Sequence, residues 1–140
     1  MRRISGYISV LHRRAIQYYN QFESETGLSG IQYPYLFYIS RHEGCRQDEI
    51  AAHLHVNKSN VTRQIEKLKN AGIIEVLKDP EDERVCRVYL TEKAKDARIA
   101  VDKRVDEWNE IITANMTPEE AEQLKALLDK ALATVKEAER

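Results

Sequence analysis

Proline, glycine, cysteine and tryptophan are scarce in this chain of 140 residues, which has three prolines, five glycines, two cysteines and one tryptophan. So few helix-breaking residues favour a mainly helical protein over a β-sandwich or a disordered chain. Two cysteines are too few for a disulfide framework, so we interpret Cys45 and Cys86 as reduced thiols of a cytoplasmic protein. No run of about 18 apolar residues occurs that a membrane-spanning helix would need.

A large excess of charge is also missing, because 22 Lys and Arg residues are balanced by 23 Asp and Glu residues, which gives a formal net charge of −1 at pH 7. This balance argues against a nucleic-acid binder driven by charge alone. Two segments are nevertheless basic: residues 1–14 contain four arginines and no acidic residue, and residues 57–77 contain Lys58, Arg63, Lys67 and Lys69 against Glu66 and Glu75. The length allows one domain, or one core that a second copy of the chain completes.

Hydrophobic spacing predicts long helices at both ends of the chain. An apolar stripe from Ile4 to Phe22 predicts one long first helix that ends near Gly27. A short helix follows from Ser29, with its regular part starting only near Tyr33 because of Pro34. Two long helices close the chain, and Thr91 and Thr117 are predicted as their N-caps.

Residues 47–54 and 58–70 are predicted as short helices joined by a tight turn, with apolar anchors on both, which is the layout of a helix-turn-helix. Two β-prone runs, 73–77 and 85–90, then pair as a hairpin. Helical projection puts polar side chains on the outer face of the second helix. They are Lys58, Ser59, Asn60, Thr62, Arg63 and Lys67. Short polar residues and an arginine suit contact with base edges and phosphates, although such residues also occur on ordinary solvated helices.

The motifs in Ser59–Arg63, Leu68–Ile74, Asp79–Arg84 and Val88–Ala94 together resemble the winged-helix core of MarR-family transcriptional regulators. The resemblance implies a mainly α fold with a small β-hairpin wing, a winged helix-turn-helix with long N- and C-terminal dimerisation helices. It also implies a homodimer that binds double-stranded DNA. In that arrangement residues 1–27 and 95–140 dimerise, and residues 28–94 form the DNA-binding lobe.

The resemblance further implies that Arg84 enters the minor groove at the wing tip and that Asp82 orients it, and we predict Arg87 as a further DNA-binding residue of the wing. The alternative is a surface ion pair of little consequence. Two positions depart from the family pattern, since Glu83 stands where a second arginine is frequent and Arg46 where a Ser, Thr or Asn cap is frequent.

An effector pocket between the dimerising helices and the DNA-binding lobe is a family feature, and six of the seven tyrosines lie in the first 38 residues. We therefore name His12, Tyr18, Tyr35 and Tyr38 as candidates to bind a small aromatic or phenolic effector. The alternative is that these rings fill the dimer interface. Cys45 and Cys86 are both predicted to be buried, which argues against redox sensing.

Other chemistries find little support in the sequence. The histidines lack the spacing of a metal site, and no phosphate-binding glycine loop or nucleophile motif indicates an enzyme or a cofactor. We therefore predict a cytoplasmic DNA-binding regulator, a ligand-responsive repressor on a palindromic operator. The rival hypothesis is a winged-helix protein-interaction scaffold that does not bind DNA, and the salt dependence of binding distinguishes the two.

Overall fold

The computed structural model describes residues 3–139, and within them helices dominate and one antiparallel hairpin is present. The helices are α1 (Ile4–Asn20), α2 (Glu23–Thr26), α3 (Tyr33–Arg41), α4 (Gln47–Leu54), α5 (Lys58–Asn70), α6 (Glu92–Thr113) and α7 (Pro118–Ala138). The strands are β1 (Ile74–Lys78) and β2 (Cys86–Leu90). The predicted fold class, mainly α with a hairpin wing, is confirmed. No described helix is long and apolar enough to cross a membrane.

The chain divides into two compact units, and the division falls inside α6. The unit up to Val105 holds one hydrophobic core, built by α3, α4, α5, the hairpin and the first half of α6. Its fully buried side chains include Leu36, Ile39, Ile50, Val61, Ile65, Leu68, Val88 and Val101. The unit from Asp106 contains the end of α6 and the whole of α7.

The first helix is shorter than the apolar stripe predicts, because α1 ends at Asn20 and a turn separates it from α2. Two tertiary contacts explain this break. The side-chain oxygen of Asn20 accepts the N–H of Gly30 at 2.7 Å, and the ring of Phe22 lies 3.7 Å below the guanidinium of Arg104. The predicted left-handed glycine at the end of this region is confirmed, since Gly27 caps α2 with φ 77°.

The start of α3 agrees with the prediction. The N–H of Ser29 donates to the side-chain oxygen of Gln32 at 3.0 Å, and a single 3-10 turn over Gly30–Gln32 comes before the regular helix. Pro34 then lies in the first turn of α3, where its missing N–H costs no intrahelical hydrogen bond.

The hairpin pairs from Ile74 with Leu90 to Lys78 with Cys86. One further bridge, which the sequence did not reveal, joins Val88 to Cys45 in the turn before α4. The N–H of Val88 donates to the carbonyl of Cys45 at 2.9 Å, and the N–H of Gly44 donates to the carbonyl of Val88 at 2.8 Å. Backbone hydrogen bonds therefore connect the wing to the turn that precedes the helix-turn-helix.

Candidate nucleic-acid interface

Helices α4 and α5 form the helix-turn-helix with the predicted bounds. The turn between them places His55 in the left-handed region, with φ 56°, and the N–H of Val56 donates to the carbonyl of Ala51 at 3.2 Å. Asn57 then caps α5, since its side-chain oxygen accepts the N–H of Asn60 at 2.8 Å. Buried apolar side chains of both helices hold the pair together, so the outer face of α5 is fixed relative to the core.

The outer face of α5 carries the side chains that helical projection placed there. Asn60 is half-buried, and the other five predicted residues are exposed, namely Lys58, Ser59, Thr62, Arg63 and Lys67. In the described part of the chain no ion pair neutralises the three cations of this set.

Several of these side chains are held by neighbours on the same face. The guanidinium of Arg63 donates to the side-chain oxygen of Asn60, and the hydroxyl of Ser59 donates to Asn57 at 2.8 Å. The hydroxyl of Thr62 donates within α5 to the carbonyl of Lys58 at 3.0 Å. These groups are therefore positioned before any partner arrives, which lowers the entropic cost of binding.

The wing tip presents Arg84, whose side chain is 91% exposed. Its Nε and Nη2 donate to the two carboxylate oxygens of Asp82 at 3.1 and 3.2 Å, and its backbone N–H donates to the same carboxylate at 3.1 Å. The guanidinium of Arg84 accordingly holds the pKa of the Asp82 carboxyl below its usual range. The predicted pair is thus present as one planar, bidentate unit.

Arg87 and Arg46 are less exposed than Arg84, since 34% and 44% of their side chains are accessible. The Nε of Arg87 donates to Asp79 at 2.6 Å and its Nη1 donates to the carbonyl of Gly44 at 2.9 Å. Arg46, at the start of α4, donates from Nε to Asp48 at 3.1 Å. In each case the arginine lowers the pKa of the paired carboxyl.

A cavity of about 340 Å³ lies between α1, the start of α3 and the helix-turn-helix. Its wall includes two of the four candidate effector residues, His12 and Tyr35, together with Asn60 and Arg63 of α5. The remaining lining is Ile16, Gly30, Ile31, Pro34, Leu54, Val56 and Gln64. The cavity is therefore mostly apolar, and most of its polar groups come from α5.

The other two tyrosine candidates lie elsewhere. Tyr18 packs edge-on against Phe22, with ring centroids 5.2 Å apart. Tyr38 has the rings of His42 and His53 against it, at centroid distances of 4.3 and 4.6 Å. The structure thus brings His12 and Tyr35 together but separates them from the other two.

Gln64 is a lining residue that sequence reasoning missed. It is buried on α5, and its side-chain oxygen accepts a hydrogen bond from the amide of Gln32 at 3.1 Å. Its position next to Ile65, on the buried face of the predicted helix, could have indicated its role, because a buried amide needs a specific hydrogen-bond partner.

A family model of the MarR family matches residues 26–85. The HTH-type transcriptional regulator BilQ of Clostridium symbiosum (strain WAL-14163) is 29% identical over 140 residues, which cover 99% of this chain and 96% of BilQ. The crystal structure of a MarR transcriptional regulator from Methanosarcina mazei Go1 has a TM-score of 0.90 and 27% identity, covering 96% of this chain and 97% of that chain. The chain is therefore similar to MarR-family transcriptional regulators in both sequence and fold.

The chain is a DNA-binding transcriptional regulator, and the relatives that it matches are regulators rather than enzymes. The S. aureus MepR–DNA complex adds a likeness of fold, with a TM-score of 0.82 and 24% identity over 96% of this chain and 99% of that one. The rival hypothesis of a scaffold that does not bind DNA is not favoured.

The two cysteines of the chain differ in exposure. Cys45 is buried as predicted, and burial, with a smaller contribution from Glu49, raises the pKa of its thiol to about 11. Cys86 is exposed, so the prediction that it is buried was wrong. It pairs with Lys78 at the turn end of the hairpin, beyond the core that covers Val88. Among residues 3–139 no cluster of His, Cys, Asp and Glu fit to hold a metal ion occurs.

Proposed function

We propose that this regulator is a cytoplasmic repressor that binds a palindromic operator as a homodimer and releases it when a small molecule binds. The observation that carries the proposal is the outer face of α5, where uncompensated cations stand beside pre-positioned polar side chains, together with the exposed Arg84 of the wing. Two such surfaces on a symmetric dimer require two half-sites about 34–36 Å apart, hence a palindrome.

In the proposed complex the residues of α5 divide by chemistry. Ser59, Asn60, Thr62 and Arg63 read base edges in the major groove, because arginine forks onto guanine and asparagine pairs with adenine. Lys58 and Lys67 neutralise phosphates. Arg84, oriented by Asp82, enters the minor groove, where narrow A·T-rich segments concentrate negative potential. Glu83, exposed beside it, reduces the net charge of the wing tip.

The proposed dimer interface uses the exposed apolar side chains of α1 and α7. No described residue of either helix is buried in the single chain. Ile4 is 80% and Leu132 is 60% exposed, and further exposed apolar side chains are Tyr7, Ile8 and Leu11 on α1 and Leu127, Leu128 and Val135 on α7. Full burial of one such side chain stabilises an interface by about 1.5–3 kcal/mol, and we propose that a second copy of the chain buries them. The proposal keeps the predicted division, in which residues 1–27 and 95–140 dimerise and residues 28–94 bind DNA.

The proposed effector site is the cavity next to α5. An aromatic or phenolic molecule fits its apolar wall, with His12 and Tyr35 offering hydrogen bonds. Because Arg63 both lines this cavity and belongs to the DNA-binding face, a ligand that binds Arg63 competes directly with the operator. Ligand binding and DNA release are coupled because the two sites share Arg63, so no conformational change has to be transmitted between distant sites.

The central test selects DNA duplexes from a random library with the purified protein and measures their binding by fluorescence anisotropy. Arg63→Ala and Arg84→Ala should each weaken the selected duplex by about 1–3 kcal/mol. Lys103→Ala, which removes one exposed charge from α6, is the matched control and should change little. Selection of no palindrome, or unchanged affinity in both arginine variants, contradicts the proposal.

A further measurement tests the dimer. Leu132→Lys changes an exposed residue, so the single chain should keep its fold while sedimentation shows a monomer that has lost high-affinity binding.

Another measurement tests the effector site, and for it a panel of small phenols is titrated into the DNA complex. If Tyr35→Phe or His12→Ala reduces the release of DNA by a phenol, this result supports the cavity as the effector site.

A further inference from the structure

Arg87 of β2 connects the wing to the helix-turn-helix. One guanidinium nitrogen donates to Asp79 at the turn end of β1, at 2.6 Å, and another donates to the carbonyl of Gly44 in the turn before α4, at 2.9 Å. The side chains of Arg87 and Asp79 are only 34% and 14% exposed. We call these three groups, Asp79, Arg87 and the Gly44 carbonyl, the wing strut.

The outer end of the wing strut organises the wing tip. While one carboxylate oxygen of Asp79 binds Arg87, the other accepts the backbone N–H groups of Glu81 and Asp82, at 2.8 and 3.3 Å. The Asp82 carboxylate in turn holds Arg84 by two side-chain hydrogen bonds. A continuous series of contacts therefore runs from Arg87 to the exposed guanidinium of Arg84.

The inner end of the wing strut, the Gly44 carbonyl, belongs to a well-constrained turn. Gly44 has φ 85°, and its N–H donates to the carbonyl of Val88 at 2.8 Å. A Cβ at this position would lie 3.2 Å from the hydroxyl of Tyr89, so the turn is closely packed against β2. Arg87 consequently joins the wing turn to a segment of backbone that has little freedom to move.

We propose that Arg87 is a positioning residue for DNA binding, which holds the wing tip through Asp79 so that Arg84 is presented in the correct orientation, and that it does not itself contact DNA. This inference rests on the proposed contact of Arg84 with DNA. It assigns Arg87 a role different from the direct contact that the sequence alone predicted. Two of the five guanidinium N–H groups of Arg87 already have internal partners, and the side chain is only 34% exposed, so its orientation is set by the protein.

Asp79→Asn separates the two roles, because they predict opposite signs. The amide keeps an oxygen for the N–H groups of Glu81 and Asp82 but removes the carboxylate that Arg87 binds. If Arg87 contacted a phosphate, loss of a nearby negative charge would free it and tighten binding. The wing strut predicts the reverse, a Kd for the selected duplex that rises by about three- to tenfold.

Arg87→Lys is the companion variant. It keeps the positive charge, but one ammonium group cannot reproduce the fixed fork that spans Asp79 and Gly44. A phosphate contact would largely survive this change, whereas the wing strut would not, so we expect a loss of affinity similar to that of Asp79→Asn. Circular dichroism melts of both variants verify that the helix-turn-helix remains folded at the assay temperature.

A double-mutant cycle with Arg84→Ala gives the decisive comparison. If Arg87 acts through Arg84, then Asp79→Asn and Arg87→Lys change the Kd by less than about twofold once Arg84 is gone, because the residues act in series. Full additivity, or tighter binding by Asp79→Asn alone, overturns the inference and leaves the proposed function intact. An Arg84→Ala variant that binds DNA normally overturns both the inference and the proposed wing contact.

Discussion

Replacement of Arg84 by alanine should change how strongly DNA binding depends on salt. The side chain is 91% exposed and pairs with one carboxylate, that of Asp82, so its removal should change the free energy of unfolding by no more than about 0.5 kcal/mol. An effect on DNA binding would then report the contact itself and not a loss of folded protein. The change removes two arginines from the proposed dimer, one from each wing.

The size of the effect follows from counterion release. Each phosphate charge neutralised by a protein cation contributes about 0.9 to the slope of log K against log salt concentration, so two wings contribute about 1.8. Between about 50 and 200 mM salt, this slope difference corresponds to about a tenfold change in relative affinity. The defect of Arg84→Ala should therefore be about tenfold larger at the low salt concentration than at the high one.

Fluorescence anisotropy titrations of the selected duplex at several salt concentrations measure this slope directly. Arg84→Lys is the matched control, because it keeps the charge but loses the bidentate pairing with Asp82. It should bind more weakly than the unmodified protein with nearly the same slope. Equal slopes for Arg84→Ala and the unmodified protein would refute the reasoning that the wing arginine neutralises DNA.

Three predictions concern the rest of the lobe. Gly30→Ala places a Cβ 3.0 Å from a backbone oxygen of α1, so urea denaturation should show a loss of about 1–3 kcal/mol. Cys86 should react with a maleimide in the native protein, whereas Cys45, buried and with a pKa of about 11, should react only after unfolding, as mass spectrometry of the labelled peptides would show. Gln64→Leu leaves the buried amide of Gln32 without its partner and should cost about 1–3 kcal/mol. Gln32→Leu also removes the acceptor of the Ser29 N–H, so the pair is measured by a double-mutant cycle, and purely additive losses would count against a specific amide pair.

Elements whose ends depend on local chemistry were predictable from the sequence. The bounds of α4 and α5 agree with the prediction, because apolar spacing and the residues next to the turn determine them within a few positions. The break after α1 was not predictable in this way. It depends on Asn20 and Phe22, whose partners lie 10 and 82 positions further along the chain, at Gly30 and Arg104.

The candidate site shows the same division between local and long-range causes. The exposed face of α5 follows from the period of a helix, so its residues could be named from the sequence. Alternation along β2 indicates which side of the hairpin a residue lies on, but not how far the core extends beneath it. For this reason the exposure of Cys86 and the internal partners of Arg87 emerged only from the three-dimensional structure.

The near-zero net charge of the chain acquires a physical explanation from these pairings. Arg63 and Arg84 of the proposed interface are each held by a polar neighbour, an asparagine and an aspartate respectively, and Arg46 at the start of α4 is held by an aspartate. The carboxylates reduce the long-range attraction of the protein for DNA, which slows electrostatically steered association. They also fix side chains whose ordering on binding would otherwise cost about 0.5–1.5 kcal/mol each. Such a regulator has a weaker non-specific attraction for DNA but retains its pre-positioned contacts. The ratio of its affinity for a matched operator to its affinity for random DNA should therefore be larger than its charge alone would suggest.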